Sequence, residues 1–142
     1  MNHYQREFNR IKKVCFANSG QVQVAIDLKQ YIDQNFDTDV TLELFSKVVF
    51  TSRFHLVRVF KRYYGFTPVQ YLIDKRLQKA RALLSQGIPV TETCFAVGFD
   101  SPSSFSTLFR NRMGMSPLQF QKRNFHKVIP IAASQLGTEI NQ

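Results

Sequence analysis

The chain has 142 residues, of which 44% are hydrophobic, and its formal net charge at pH 7 is +9. This length fits one compact domain, or two small subdomains that share a helix, and the apolar fraction is enough for a real core. No apolar, uncharged window of about 18 residues is present, and the first residues lack the apolar stretch of a signal peptide, so we expect neither a membrane-spanning helix nor secretion. The two cysteines, Cys15 and Cys94, lack CxxC spacing. We therefore expect two reduced thiols in a cytosolic protein, with no metal and no cofactor.

The predicted secondary structure is helical throughout, because apolar residues recur every three to four positions and no stretch alternates with a period of two. Single Gly, Ser-Pro and Thr-Pro signals separate the helices. Apolar periodicity assigns Tyr4, Tyr63 and Val69 to buried faces. No clear period extends over 128–142. In chain order, the predicted helices cover 3–16, 23–36, 42–49 after a Thr41 cap, 53–64, 68–86, 90–97, 102–113 and 117–123.

The positive charge is concentrated in residues 44–123, which carry thirteen Lys and Arg against three acidic residues. Residues 1–43 carry five Lys and Arg against six acidic residues. A basic block of this kind indicates a polyanionic partner or a solvated face. Charge alone leaves nucleic acid, an anionic membrane surface and simple solubility open.

An internal repeat relates residues 52–72 to residues 101–121 at a shift of 49 positions. Eleven of the 21 positions agree in type, and five of them are identical. Each copy follows a short helix and a tight turn, which is the arrangement of a helix-turn-helix unit. The second turn has Gly98 where a left-handed residue is needed, whereas the first has Phe50, a bulky residue that is disfavoured there.

The second helix of each unit has an outward face suited to DNA. In 53–64 this face carries three cations and no acid, and in 102–113 it is small, polar and basic. Such a face fits the major groove of B-DNA. The helix between the units, 68–86, is roughly 28 Å long, close to the ~34 Å that separates successive major-groove segments on one side of the duplex.

A long spacing pattern of apolar, basic, glycine and proline positions runs through both units. Its residues are Ser52, Leu56, Arg58, Phe60, Lys61, Gly65, Thr67, Pro68, Tyr71, Arg76, Leu77, Ala80, Leu83, Leu84, Gly98, Phe99, Phe105, Phe109, Arg110, Gly114, Ser116, Pro117 and Phe120. With this pattern the chain resembles the DNA-binding domain of the AraC/XylS family of bacterial transcription regulators, over roughly residues 23–123. It departs from the family at Phe50, where Gly is usual, and at Thr93 and Cys94, where Ile and Ala are preferred.

The implied fold is all-α, with two helix-turn-helix subdomains joined by one long central helix, about seven helices in all plus an N-terminal helix. We expect residues 1–22 to be an N-terminal helix or the remnant of a linker. The remaining divisions are a first helix-turn-helix subdomain at 23–66, a connecting helix at 67–87, a second subdomain at 88–123 and a C-terminal tail at 124–142.

The family pattern implies base contacts from Phe54, Val57 and Arg58 in the first reading helix. Arg58 can bond O6 and N7 of guanine, while the two apolar side chains can contact thymine methyl groups. In the second reading helix the same positions are short, so weaker discrimination is expected there. These positions are Pro102, Ser103, Ser106 and Thr107.

The predicted phosphate contacts are Arg53, Lys61, Arg62, Arg110 and Arg112. We expect His55 to orient or cap the reading helix rather than to contact bases. We expect Arg76 to be a structural ion-pair or capping partner between subdomains rather than a DNA contact.

An enzyme and a basic interaction module are the two other function classes. An enzyme is disfavoured because no catalytic triad, phosphate loop or HExxH motif is present, and the repair methyltransferases with a similar domain need a zinc-binding cysteine cluster. The alternative is a basic helical interaction module that binds a protein or an anionic surface. Within the DNA interpretation, activator and repressor stay open, as do a stand-alone regulator and the C-terminal part of a longer one. We expect a cytoplasmic monomer on double-stranded DNA, with RNA polymerase as a partner implied by the resemblance.

Overall fold

The computed structural model describes residues 2–14 and 20–125, and these form helices and short connections without any strand. The all-α prediction is therefore confirmed. Cys15 and residues 128–142 lie outside the described residues. The helices are α1 (His3–Val14), α2 (Gln21–Asn35), α3 (Leu42–Val48), α4 (Arg53–Tyr64), α5 (Pro68–Ser85), α6 (Val90–Ala96), α7 (Pro102–Met113) and α8 (117–125).

The chain divides within α5, between Lys75 and Arg76, into two compact units. Unit 1 contains α1 to α4 and the first part of α5, and unit 2 contains the rest of α5 with α6 to α8. Each unit has its own short helix, turn and second helix. The arrangement of elements is the one that the internal repeat predicts.

The core of unit 1 is built from aromatic and aliphatic side chains of four helices. The Tyr31 and Phe45 rings stack with centroids 5.5 Å apart, and the Phe60 ring lies 4.8 Å from that of Tyr64. Full burial of one such side chain contributes about 1.5–3 kcal/mol. The fully buried residues of this core include Ile11, Ala25, Leu28, Tyr31, Phe45, Leu56 and Phe60.

The helix α1 packs against α2 and α3, and its buried face coincides only in part with the predicted one, since Ile11 lies on both. Tyr4 is exposed, and the buried positions are Ile11 and the acidic Glu7. The Glu7 carboxylate accepts a hydrogen bond from the Tyr31 hydroxyl at 2.7 Å and pairs with Arg10 at 2.5 Å. Burial and the bond to Glu7 raise the pKa of Tyr31 well above its ordinary value. The inward face of α1 is therefore anchored by a buried polar contact, which apolar periodicity cannot detect.

The core of unit 2 contains four phenylalanine rings, each in contact with the next. Ring centroids lie 5.3 Å apart for Phe99 and Phe105, 5.8 Å for Phe105 and Phe109, and 5.5 Å for Phe109 and Phe120. The Arg76 guanidinium lies 5.4 Å from the Phe99 ring centroid. Arg76, predicted to act between subdomains, thus has a cation–π contact inside unit 2.

Three further side chains differ from expectation. Tyr63 is 52% exposed because it lies in the last turn of α4, where Tyr64 takes the inward position beside Phe60. Val69 is 54% exposed in the first turn of α5. Thr41 occupies the N-cap position of α3, but its side chain makes no capping hydrogen bond.

Candidate DNA-binding surface

The two helices that follow the tight turns begin with the same device. The Ser52 hydroxyl accepts a hydrogen bond from the backbone N–H of His55 at 3.1 Å, and the Ser101 hydroxyl accepts one from that of Ser104 at 3.3 Å. Such a cap satisfies one of the free N–H groups at a helix start. Both α4 and α7 therefore begin at a defined residue, which fixes which side chains stand in their first turn.

The two helices also end alike. Gly65 follows α4 with φ 87°, and Gly114 follows α7 with φ 80°, a left-handed conformation that glycine adopts without a side-chain clash. The next helix then begins with a reciprocal cap in each case. The backbone N–H of Thr67 donates to the Gln70 side-chain oxygen at 2.9 Å, and the backbone N–H of Gln70 donates to the Thr67 hydroxyl at 3.2 Å. Ser116 and Gln119 form the same two bonds, both at 3.1 Å.

The tight turn of unit 1 is closed by backbone hydrogen bonds around Phe50. The N–H of Phe50 donates to the carbonyl of Lys47 at 3.3 Å, and the N–H of Thr51 donates to that of Ser46 at 3.0 Å. Phe50 has φ 54°, and it is the only residue other than glycine with a positive φ in the part of the chain that the structure describes. Its ring is 96% exposed.

The turn of unit 2 has the same hydrogen bonds with Gly98 in place of Phe50. The N–H of Gly98 donates to Phe95 at 3.2 Å, and that of Phe99 donates to Cys94 at 3.1 Å. Gly98 has φ 103°. Asp100 then adds one residue before the Ser101 cap, so this turn is one residue longer than the first.

The outward face of α4 combines cations with apolar side chains. Phe54 is 76% exposed, Val57 is half-buried, and Arg58 is exposed. Arg53, Lys61 and Arg62 are exposed as well. Between residues 44 and 73 the sequence has five Lys and Arg and no acidic residue, so this face attracts a polyanion. His55, beside Phe54, is partly buried.

The outward face of α7 is smaller and less charged. Pro102, Ser103 and Thr107 are exposed, and Ser106 is half-buried. The cations of this helix, Arg110 and Arg112, are exposed in its last turns. The structure thus places the predicted base-facing positions of both helices at least partly at the surface, opposite the buried Leu56 and Phe60 in α4 and Phe105 and Phe109 in α7.

An ion-pair cluster, which sequence reasoning missed, fixes the start of α5 against α2. The Asp33 carboxylate accepts a hydrogen bond from the Tyr71 hydroxyl and pairs with Lys29 at 3.0 Å and with Lys75 at 3.5 Å. Burial raises the pKa of Asp33, but the bonds from Tyr71 and Lys29 outweigh it, so this pKa is lowered. The 38 positions between Asp33 and Tyr71 hide this contact from any local pattern.

Two structural features bear on other function classes. Within residues 2–14 and 20–125, no group of three His, Cys, Asp or Glu could hold a metal ion. Among the helices formed by those residues, none combines the length and apolarity needed to cross a membrane. Cys94 is buried and unpaired, and burial raises the pKa of its thiol.

A family model described as a helix-turn-helix domain matches residues 45–123, more than half of the chain. The chain belongs to the AraC family of DNA-binding transcription regulators. The resemblance drawn from the sequence is thereby confirmed. The matched range begins inside α3 and ends inside α8, so it contains both turns and both capped helices of this AraC-type domain.

Curated relatives of this AraC-type chain are named as transcriptional regulators. The probable transcriptional regulator LumQ of Photobacterium leiognathi is 35% identical over 95 residues, which cover 66% of this chain and 38% of LumQ. The uncharacterised regulator YdeC of Bacillus subtilis strain 168 is 34% identical over 125 residues, covering 87% of this chain and 41% of YdeC. The chain therefore spans about two fifths of the length of these relatives.

A solved structure shares the AraC-type fold. The C-terminal domain of AraT, a response regulator from Geobacillus stearothermophilus, aligns with a TM-score of 0.66 and 33% identity. The alignment covers 70% of this chain and 84% of that domain.

Proposed function

We propose that this AraC-type chain reads two successive major-groove segments of one DNA duplex, one with α4 and the other with α7. The observation that carries the proposal is that the two helices are capped, terminated and buried in the same way. Each begins at a serine cap, ends at a left-handed glycine and buries one face while exposing the other. A frame of this kind holds a recognition helix with its outer side free for base edges.

The length of α5 supports reading at one-turn spacing. This helix runs without interruption from Pro68 to Ser85, 18 residues, and is therefore roughly 27 Å long. Successive major-groove segments on one side of the duplex lie ~34 Å apart.

In this proposal α4 supplies most of the base discrimination. The exposed Arg58 bonds a guanine through its two-pronged guanidinium group, and Phe54 and Val57 contact thymine methyl groups. His55 orients the helix. On α7, Pro102, Ser103, Ser106 and Thr107 face the bases, and their short side chains leave more of the recognition to groove shape.

Exposed cations near the two helices contact phosphates and set the register of the protein on the duplex. These contacts contribute affinity without sequence information, and they make binding depend on salt. The proposed residues are Arg53, Lys61, Arg62, Arg110 and Arg112, each exposed in the structure.

The cellular setting is proposed from the family. The chain acts in the cytoplasm at the bacterial nucleoid, with RNA polymerase as its protein partner. Since it spans about two fifths of its curated relatives, a longer regulator can carry further domains. The chain by itself binds as a monomer to an asymmetric site, because its two reading helices are unlike.

Fluorescence anisotropy on labelled duplexes tests the proposal. The chain is titrated onto a random-sequence duplex and onto anionic vesicles at several salt concentrations. We expect duplex binding whose log–log salt dependence corresponds to roughly 6–10 phosphate contacts, and competition by some sequences above others. A flat salt dependence, or equal competition by every sequence, would support the basic interaction module and contradict DNA reading.

A further inference from the structure

The left-handed turn of unit 1 places an aromatic ring where the fold gains nothing from it. Phe50 has φ 54°, a conformation that bulky residues rarely adopt, and its ring is 96% exposed. The equivalent turn of unit 2 makes the same two hydrogen bonds with Gly98 and needs no side chain there. The ring of Phe50 therefore neither closes the turn nor fills the core.

Residues with a strained backbone cluster at functional sites, so a strained position without a packing role motivates a functional hypothesis. Phe50 lies two residues before the Ser52 cap of α4, at the N-terminal end of that helix. The N-terminal residues of a recognition helix are the ones that reach base edges. The first turn of α4 also exposes Phe54, so two unburied phenylalanines stand near the same helix end.

We infer that Phe50 is a specificity-determining residue whose ring packs on the C5-methyl group of a thymine beside the segment that α4 reads. The inference rests on the proposed function. The neighbouring charges favour DNA over a protein partner, because Lys47 and Arg53 flank the turn and no acidic residue lies between residues 44 and 73. Apolar contact with thymine methyl groups is an established use of Phe in direct readout.

Three substitutions distinguish the effect of the Phe50 ring from the effect of the left-handed backbone. Phe50→Gly and Phe50→Asn remove the ring and suit the left-handed backbone, whereas Phe50→Tyr keeps the ring. We expect the first two variants to raise Tm by roughly 2–5 °C because they relieve the disfavoured φ. We expect the same two variants to bind the preferred duplex, taken from selection on a random pool, roughly five- to tenfold more weakly.

The matched control is Phe95→Ala, which removes a half-exposed ring from α6 and should leave the affinity unchanged. Phe50→Tyr should bind like the unmodified chain. A gain in stability together with a loss of specific affinity is a combination that a purely structural residue does not give. If Phe50→Gly and Phe50→Asn bind the selected duplex as tightly as the unmodified chain, the inference is overturned. A protein partner is then the alternative contact of the ring.

The contact is located by replacing each thymine of the selected duplex with deoxyuridine, which removes only the methyl group. One replacement should weaken binding by the unmodified chain and have no effect on Phe50→Gly. If every replacement affects both proteins equally, Phe50 contacts no thymine methyl and the inference fails, while the proposed function stands. If the unmodified chain prefers no duplex at all, the proposed function itself fails.

Discussion

The helices α4 and α7 are alike in how they are held and unlike in what they expose. Both helices begin at a serine cap and end at a left-handed glycine, and each fully buries one phenylalanine of its inner face, Phe60 in α4 and Phe109 in α7. The exposed faces diverge, since Arg58 in α4 corresponds to Thr107 in α7. The repeat therefore retains the residues that hold each helix in place and varies those that each helix exposes.

The turns add a second contrast. Gly98 adopts its positive φ without strain, whereas Phe50 adopts one at the cost of stability. Residues that recur in both units have a packing or capping role. A residue that is unfavourable for its local backbone and gains no packing contact is a candidate for function. Substitutions at paired positions of the two units test this distinction.

Removing the paired core rings should have the largest effect. Phe60 and Phe109 are fully buried, so Phe60→Ala and Phe109→Ala should each lower the free energy of unfolding by about 3–5 kcal/mol. Urea denaturation followed by circular dichroism measures both. The control Phe95→Ala should cost less than about 0.5 kcal/mol because that ring is half-exposed. A loss below about 1 kcal/mol at either core ring would show that the two frames are not equivalent.

Truncating the paired outer positions should affect DNA binding unequally. Arg58→Ala should cost about 1–3 kcal/mol on the selected duplex and little on random DNA, because it removes the proposed bidentate base contact. Thr107→Ala should cost less than about 1 kcal/mol on the same duplex. Anisotropy titrations on both duplexes measure the losses. If Arg58→Ala loses the same affinity on both duplexes, Arg58 contacts a phosphate rather than a base. If Arg58→Ala and Thr107→Ala lose the same affinity on the selected duplex, the predicted difference between α4 and α7 is wrong.

Acid should weaken the Asp33 cluster of unit 1. The pKa of Asp33 is lowered in the folded chain, so its contribution is present above the ordinary value of 3.8 and is lost as the pH falls through the folded value. Asp33→Asn should cost about 1 kcal/mol near pH 7, and its difference from the unmodified chain should shrink below about pH 4. Urea denaturation across pH values measures this. Asp37→Asn, an exposed control in the loop after α2, should change little, and a pH-independent difference at Asp33 would contradict its role as a charged partner.

The paired serine caps should give the smallest effects. Ser52→Ala and Ser101→Ala each remove one hydrogen bond at a helix start and should cost about 0.5–1 kcal/mol. Thermal denaturation compares them with Ser104→Ala, whose exposed side chain should contribute almost nothing. A cost at one serine alone would mean that the two helices are capped differently.

Helix positions were predictable because apolar periodicity and the Ser-Pro, Thr-Pro and Gly signals are local. The same signals revealed the repeat, and with it both helix-turn-helix units. The sequence also predicted the outward positions of α4, since a helix that buries Leu56 and Phe60 must expose Arg58.

What the sequence could not reveal depends on contacts between distant residues. Glu7 is buried beside its hydrogen-bond partner Tyr31, which lies 24 positions away along the sequence. Apolar periodicity does not detect such a contact, and it assigned Tyr4 to the core instead. Asp33 gains its partners Tyr71 and Lys75 from another helix. The unfavourable residue at the first turn was visible in the sequence, but the exposure of its ring required the structure.

Selection of bound duplexes from a random pool, run in parallel with the unmodified chain and with Arg58→Ala, tests most directly whether α4 and α7 read neighbouring major-groove segments. We predict two preferred sequence blocks centred about 10–11 base pairs apart, of which Arg58→Ala weakens only the more selective one. A single block, or two blocks that fade together in the variant, would contradict reading by two separate helices.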